Sequence, residues 1–436
     1  MFKAYTQSQP SLLPPSLDDL IPEKHPVRVV SRVVDGLDLS SLISVYEGGG
    51  ASSYHPRMLL KVVVYAYLRN VYSTRKMEEQ LSESVHFMQL AGGNRPDHNT
   101  LARFRSRRLK DGIKDVFRQV VSLLAESGHV SLEEAYIDGT KLEANAGRYT
   151  FVWGRSIKTN KEKMLSRVNE LLAYADRVCE LESGSQPVEF EEISAEKIRE
   201  TVEKIDEALK GKDVPKTVRR QLGYAKRRYP EAAERYEKQE EILGDRNSCS
   251  KTDPDATFMR MKEDHMGNGQ LKPGYNLQIS TENQFVTCFS VHSNPTDVKT
   301  LPSHLDGFAE TCGKLPGTVV ADAGYGSLEN YEYFEEKGVE GYVKDPWFDR
   351  DRRGKDPFQA ANWPFDEEAK SLICPAGKPM AFRYESKNGT LHFAASDCEG
   401  CPLRDKCLKG SKNRTATRNP KLEGLRQKAR DLLCSE

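Results

Sequence analysis

No stretch of this chain approaches the ~18 consecutive apolar residues of a membrane-spanning helix, so no transmembrane segment is expected. The start, Met1-Phe2-Lys3-Ala4-Tyr5-Thr6-Gln7, lacks a basic region followed by an apolar run. It is therefore not read as a signal peptide, and the expected location is the cytoplasm. A surplus of charge is missing too. Lys+Arg and Asp+Glu both number 65, so only local patches can speak for or against nucleic acid. Internal repeats and long low-complexity tracts are absent. What remains, 30% charged and 37% hydrophobic residues in 436, suits two or three domains with real cores. The nine cysteines are unevenly spread, with three packed into Cys398–Cys407. Without an export signal, that clustering favours metal over disulfide.

Periodicity divides the chain. Residues 1–130 are expected to be an all-α N-terminal domain. Leu59, Leu60, Val63, Val64, Ala66 and Tyr67 line one helix, Met77 and Leu81 a second, and Leu101, Phe104 and Leu109 a third, capped by Asp97 or Asn99. Ala135-Tyr136-Ile137 is a short strand closed by Asp138. Residues 151–249 are expected to be a helical insertion, because Ile198, Val202, Ile205 and Leu209 repeat as in a helical hairpin. Tyr275, Leu277 and Ile279 alternate with polar residues. After Thr281-Glu282-Asn283-Gln284 the alternation resumes at Phe285, Thr287, Phe289 and Val291, which marks a β-hairpin. A helix (about Leu301–Cys312), the strand Thr318–Ala321, a helix (about Leu328–Lys337) and the strand Gly341–Val343 follow. The fold class expected is α+β: an RNase H-like mixed sheet split over 131–150 and 250–345, with the helical insertion between its first two strands. Residues 346–436 are expected to be loop-rich, cysteine-bearing and basic.

Two aspartates stand where strands end. Asp138 lies in Ala135-Tyr136-Ile137-Asp138-Gly139-Thr140-Lys141, and Asp322 closes Val319-Val320-Ala321 before Ala323-Gly324-Tyr325-Gly326. Paired carboxylates bind hard divalent cations through oxygen. Two such ions roughly 3.5–4 Å apart serve phosphodiester chemistry. A phosphatase that uses Asp138 as nucleophile would want a second Asp two residues on, and position 140 is Thr. Gly324 and Gly326 permit a tight turn after Asp322, which would also suit a plain loop. Asp253, Asp255 and Asp297 lie near strand edges in Pro-containing loops, where Asp is ordinarily a turn former, and they stay outside the site. Cys374, Cys398, Cys401 and Cys407 would suffice for a tetrahedral zinc site, the alternative being reduced structural thiols. Arg103, Arg105, Arg107, Arg108, Lys110 and Lys114 form a basic run suited to DNA phosphates in a helix-turn-helix-like setting, or else a solvated face. The tail from 401 to 436 carries ten Lys/Arg against four acids. It could lie along DNA or be a disordered end.

Taken in order, several segments resemble the DDE transposases of bacterial insertion sequences. They are Pro96-Asp97-His98-Asn99-Thr100-Leu101-Ala102-Arg103-Phe104-Arg105, Tyr136-Ile137-Asp138-Gly139-Thr140-Lys141, Thr252-Asp253-Pro254-Asp255-Ala256, Pro273-Gly274-Tyr275-Asn276-Leu277-Gln278, Ala321-Asp322-Ala323-Gly324-Tyr325 and the cysteine cluster. The resemblance implies that Asp138 and Asp322 are the first two acids of a catalytic triad binding Mg²⁺ or Mn²⁺. It also implies double-stranded DNA as partner, both terminal inverted repeats and target, and a homo-oligomer assembled on that DNA. The family draws its third acid, a Glu, from an Arg-rich stretch beyond a Leu-Leu-x-Ser-Glu segment. This chain stops at Leu432-Leu433-Cys434-Ser435-Glu436, and Glu423 fits the motif poorly. The expectation is a chain truncated before its third acid and catalytically crippled. The rival reading is a non-catalytic DNA-binding remnant.

Overall fold

The computed structural model describes residues 16–44, 46, 53–179, 194–261, 267, 269–354, 356–366, 368–408, 410 and 412–434. The chain forms two compact units, Met1–Leu132 with Glu282–Thr287 and Ala309–Lys314, and Glu133–Thr281 with Cys288–Phe308 and Leu315–Glu436.

The first unit is built from α1 (Pro26–Gly36), α2 (Ser40–Ser44), α3 (Pro56–Leu68), α4 (Thr74–Glu83), α5 (Val85–Leu90), α6 (His98–Arg103) and α7 (Leu109–Glu126). Proline opens α1 and α3, where its missing N–H costs nothing. His25 and His55 cap these helices, each Nδ1 accepting from the amide two residues on at 3.2 Å. Asp97 is the cap of α6, accepting from the Thr100 amide at 2.7 Å. Val27, Leu60, Ala66, Met77, Leu101 and Phe104 meet in one apolar core. A π-helical turn, Phe104–Arg108, interrupts the α6–α7 run.

The second unit centres on β1 (Glu134–Glu143). The insertion opens with β2 (Phe151–Trp153), then α8 (Gly154–Cys179), α9 (Ala195–Ala208) and α10 (Lys216–Leu243), and closes with β3 (Ser248–Ser250). β2 and β3 pair antiparallel and clasp its base. The repeat at Ile198, Val202, Ile205 and Leu209 is buried against Val168 and Leu171 of α8 and Ala225 of α10. The remaining core elements are β4 (Thr257–Arg260), β5 (Leu271–Glu282), β6 (Phe285–His292), α11 (Leu301–Cys312), β7 (Thr318–Ala321), α12 (Leu328–Lys337) and β8 (Glu340–Val343). The sheet order is β4-β5-β1-β7-β8, with β6 also paired to β5. β5 runs antiparallel to β1, whereas β7 and β8 run parallel. This is the mixed RNase H-like arrangement. Asn283 and Gln284 both take positive φ (49° and 70°), as a two-residue hairpin turn matched to strand twist requires.

Beyond β8 lie α13 (Phe348–Arg353), β9 (Phe365–Asp366), β10 (Ser371–Ile373), β11 (Pro379–Glu385), β12 (Leu391–Ala395), α14 (Arg404–Cys407), β13 (Thr415–Arg418) and α15 (Pro420–Cys434). The loop-rich reading of this region is corrected. β9 to β13 form a five-stranded antiparallel sheet around Trp363, Leu372, Met380 and Phe393. Within the basic tail, β13 and α15 are formed, and four of its cations have protein partners. Arg418 pairs with Glu423, Lys421 with Glu332, and Lys428 with Glu335. Arg430 reaches both Asp345 and Asp351 at 2.7 Å. Burial would raise the Asp345 carboxyl, but Arg430 and the Trp347 amide outweigh it and hold the group below its ordinary range.

Candidate active site

Strand pairing brings the two aspartates together. The parallel register of β1 and β7 ends at Ile137 opposite Ala321. Asp138 and Asp322 each follow that last paired rung by one residue, the first still within β1 and the second just past the end of β7. Asp138 is not at a strand end as expected. β1 continues to Glu143 because β5 pairs with it along that length, while β7 stops and lets Asp322 open a 3-10 turn, Ala323–Tyr325. Both side chains are exposed. Asp138 Oδ1 accepts from the Gly139 amide at 2.8 Å, and Asp322 Oδ1 from the Gly324 amide at 2.8 Å. Gly326 is needed for close approach. A Cβ there would lie 2.6 Å from the Lys344 carbonyl.

Under this rung is a polar network that the sequence reading missed. Asp297, set aside as a turn former, belongs to it. Its Oδ1 accepts from Asn276 Nδ2 at 2.8 Å and Gln278 Nε2 at 3.1 Å. Gln278 Nε2 also donates to Asn276 Oδ1 at 2.9 Å, and the Tyr325 hydroxyl donates to Gln278 Oε1. Burial, and then the carboxylates of Asp297, Asp322 and Asp138, push the Tyr325 phenol far above its ordinary range. One hydroxyl thus senses all three acids. The available signal was the polar face of β5. Asn276, Gln278 and Ser280 are fully buried, while the apolar residues between them are only half-buried. The other two acids left out earlier sit in a turn, where Asp253 accepts from the Tyr275 hydroxyl at 2.9 Å. Burial and Asp253 push that phenol up to about 12.

Cys374, Cys398, Cys401 and Cys407 line one cavity of about 30 Å³ together with Arg404 and Arg414. That volume exceeds the roughly 10–15 Å³ that a single water occupies. The Cys407 thiol is raised by burial and by the three neighbouring sulfurs, against the opposing charge of Arg414. Four soft donors at one cavity suit zinc by chemistry. Even so, among the described residues no three His, Cys, Asp or Glu side chains are grouped closely enough to hold a metal ion, here or at the aspartates. Two carboxylates on adjacent strands still fit a hard cation by donor type. Glu423 is committed elsewhere. It is paired with Arg418 at 2.7 Å, and burial holds its carboxyl above the usual range. Ser435 and Glu436 lie outside the described residues.

The basic run is split by its contacts. Arg105 bonds the Tyr67 hydroxyl at 3.3 Å and the Tyr72 carbonyl at 2.9 Å, and Arg108 stacks over Tyr46 at 4.8 Å. Arg103, Arg107, Lys110 and Lys114 present exposed side chains. The run therefore divides into two residues that hold local structure and four that face outward.

Comparison with known families agrees with this architecture. Residues 15–107 match the transposase domain DUF772, residues 250–359 match a transposase DDE domain, and residues 373–436 match a second transposase DDE domain. No curated protein and no solved structure matches the chain. None of the described helices is long and apolar enough to cross a membrane. With three transposase models matched in order along it, and an RNase H-like sheet carrying paired aspartates, the chain belongs to the insertion-sequence DDE transposases.

Proposed function

We propose that this chain carries two acids, Asp138 and Asp322, of a transposase site that cuts and rejoins DNA phosphodiesters at element ends, and that they would hold Mg²⁺ or Mn²⁺. The observation that carries the reading is the β1–β7 register, whose last pair, Ile137 and Ala321, immediately precedes the two aspartates. A divalent cation bound there would supply activation of the attacking oxygen and charge stabilisation at the leaving oxygen. The chain's own part is to hold two exposed carboxylates, one on β1 and one at the end of β7. Water would attack the phosphorus at the element end and release a 3′-hydroxyl. That hydroxyl would then attack a target phosphodiester, forming a new bond and releasing a target 3′-hydroxyl. No side chain need form a covalent intermediate. The exposed members of the basic run, Arg103, Arg107 and Lys110, would contact DNA backbone, and the four-cysteine cavity would take zinc.

The test is nicking of a supercoiled plasmid carrying the element ends, with Mg²⁺ present. Asp138→Asn and Asp322→Asn should each slow nicking on the order of 100-fold or more, since each removes a cation ligand. Nicking at the wild-type rate in both variants refutes the assignment.

A further inference from the structure

We infer that Tyr325, Gln278 and Asp297 form a positioning device that fixes the Asp322 turn against the Asp138 strand, with Gly139 as its seat. The inference rests on the reading of Asp138 and Asp322 as the cation-holding pair.

The device is traced through contacts. Tyr325 lies three residues after Asp322, in the same 3-10 turn. Its hydroxyl donates to Gln278 on β5, and Gln278 stands opposite Gly139 in the β1–β5 register. Gly139 is the residue after Asp138. That hydrogen bond links the Asp322 turn to β5, the strand paired with the one that carries Asp138. Both ends are held. Gln278 Nε2 donates to two acceptors, Asn276 Oδ1 and Asp297 Oδ1. That turns its Oε1 toward Tyr325. The Tyr325 carbonyl accepts from Asn330 Nδ2 of α12 at 2.7 Å. Tyr325 is 1% exposed, and Asn276 and Gln278 are 0% exposed, so water cannot substitute for a lost partner.

Gly139 shows how closely the parts meet. A Cβ at that position would stand 2.5 Å from Gln278 Nε2, 2.8 Å from Asp297 Oδ1 and 3.0 Å from the Tyr325 hydroxyl. Three members of the network thus fill the space that any other residue's side chain would claim.

Asp297 acts through the network, as its contacts show. Its Oδ1 stands 2.8 Å from where a Cβ on Gly139 would lie. Its Oδ1 already accepts two amide donors. No three acids are grouped for a metal among the described residues. The network acts on the segments that bear the acids; outer partners of metal ligands tune affinity by roughly 10–100-fold, which sets the scale expected here.

The experiment is Mn²⁺ titration of the full chain by electron paramagnetic resonance, with thermal unfolding measured in parallel. Tyr325→Phe removes one hydroxyl, and Asp297→Asn keeps shape while removing charge. Both should weaken Mn²⁺ binding about 10–100-fold in protein that remains folded. Gly139→Ala should do the same. A merely structural network predicts lower unfolding temperatures with unchanged Mn²⁺ affinity in all three, and that result overturns the inference. Asp138→Asn and Asp322→Asn separate the two ideas. If they leave wild-type Mn²⁺ binding intact, the reading of the acids fails and the device fails with it. If they abolish binding while Tyr325→Phe and Asp297→Asn do not, only the device fails.

Discussion

His304 makes the stability of the sheet sensitive to acid in a way that can be sized. It lies on α11 and is 0% exposed. Its Nε2 is 2.6 Å from Ser280 Oγ and its Nδ1 is 2.6 Å from Ser290 Oγ, which also contacts His292 Nε2 at 2.6 Å. Burial, and then the neighbouring His292, lower its pKa from 6.5 to about 4. Burial also lowers His292. The sign follows from which state binds the proton. Above about pH 6.5 the ring is neutral in both states and contributes no slope. Below it, the unfolded chain takes up a proton that the folded site refuses, so stability falls as pH falls. The loss is about 1.4 kcal/mol per pH unit, ending near pH 4 where the folded site protonates as well. Over that window it amounts to about 3 kcal/mol for a ring so deeply buried. The assay is urea unfolding at pH 7, 6, 5 and 4.5, read locally by amide exchange in β5 and α11 so that other parts of the chain do not blur it. His304→Gln lacks the titrating ring. Its stability at pH 7 should drop by about 1–3 kcal/mol for imperfectly matched hydroxyls, and its acid slope should be shallower than wild type. Equal slopes in the two proteins would refute the assignment of the acid sensitivity to His304.

Two other outcomes are open to direct measurement. Purified protein should carry one zinc per chain by elemental analysis, and Cys401→Ser or Cys407→Ser should lose it; well-folded wild type without zinc ends the proposal for the cavity. Replacing Arg103, Arg107 and Lys110 together by Ala should weaken DNA binding at all sequences and reduce its log-salt slope by about 0.9 per lost phosphate contact; an unchanged slope removes this face from the interface.

The parts of the fold that could be read from sequence are those whose signal is local. The hairpin alternation, α11, β7 and α12 carry their periodicity within about a dozen residues, and the structure has all four. The C-terminal sheet is hidden in part because two of its strands are very short. β9 has two residues and β10 three, too few for alternation to show. Asp138 was placed at a strand end because its apolar run stops at Ile137. Only the partner β5, more than 130 residues later, carries β1 on to Glu143. Asp297 failed for the same reason. Nothing near it in sequence announces Asn276, Gln278 and Tyr325, and an aspartate beside a proline loop ordinarily needs no further explanation. The basic run is visible as composition, yet which of its members are engaged by protein partners depends on Tyr46, Tyr67 and Tyr72.

The alternation of β5 was seen correctly, but burial runs opposite to the usual rule, and this inversion bears on the site. Asn276, Gln278 and Ser280 point inward, and each has a partner in place: Asp297, Tyr325 and His304. Apolar packing tolerates small slips of a strand, since one aliphatic contact replaces another. A hydrogen-bonded face does not. A slip by two residues keeps these side chains inward but moves each away from its partner. Every orphaned buried group then costs about 1–3 kcal/mol. The polar face therefore fixes β5 against the Asp297 turn, the Tyr325 turn and α11. The β1–β5 register puts Gly139 opposite Gln278, and the Tyr325 hydroxyl completes the link to the Asp322 turn. On the proposed reading of the two acids, these directional bonds hold the Asp322 turn in place beside the Asp138 strand, where a cation site would have most need of precision.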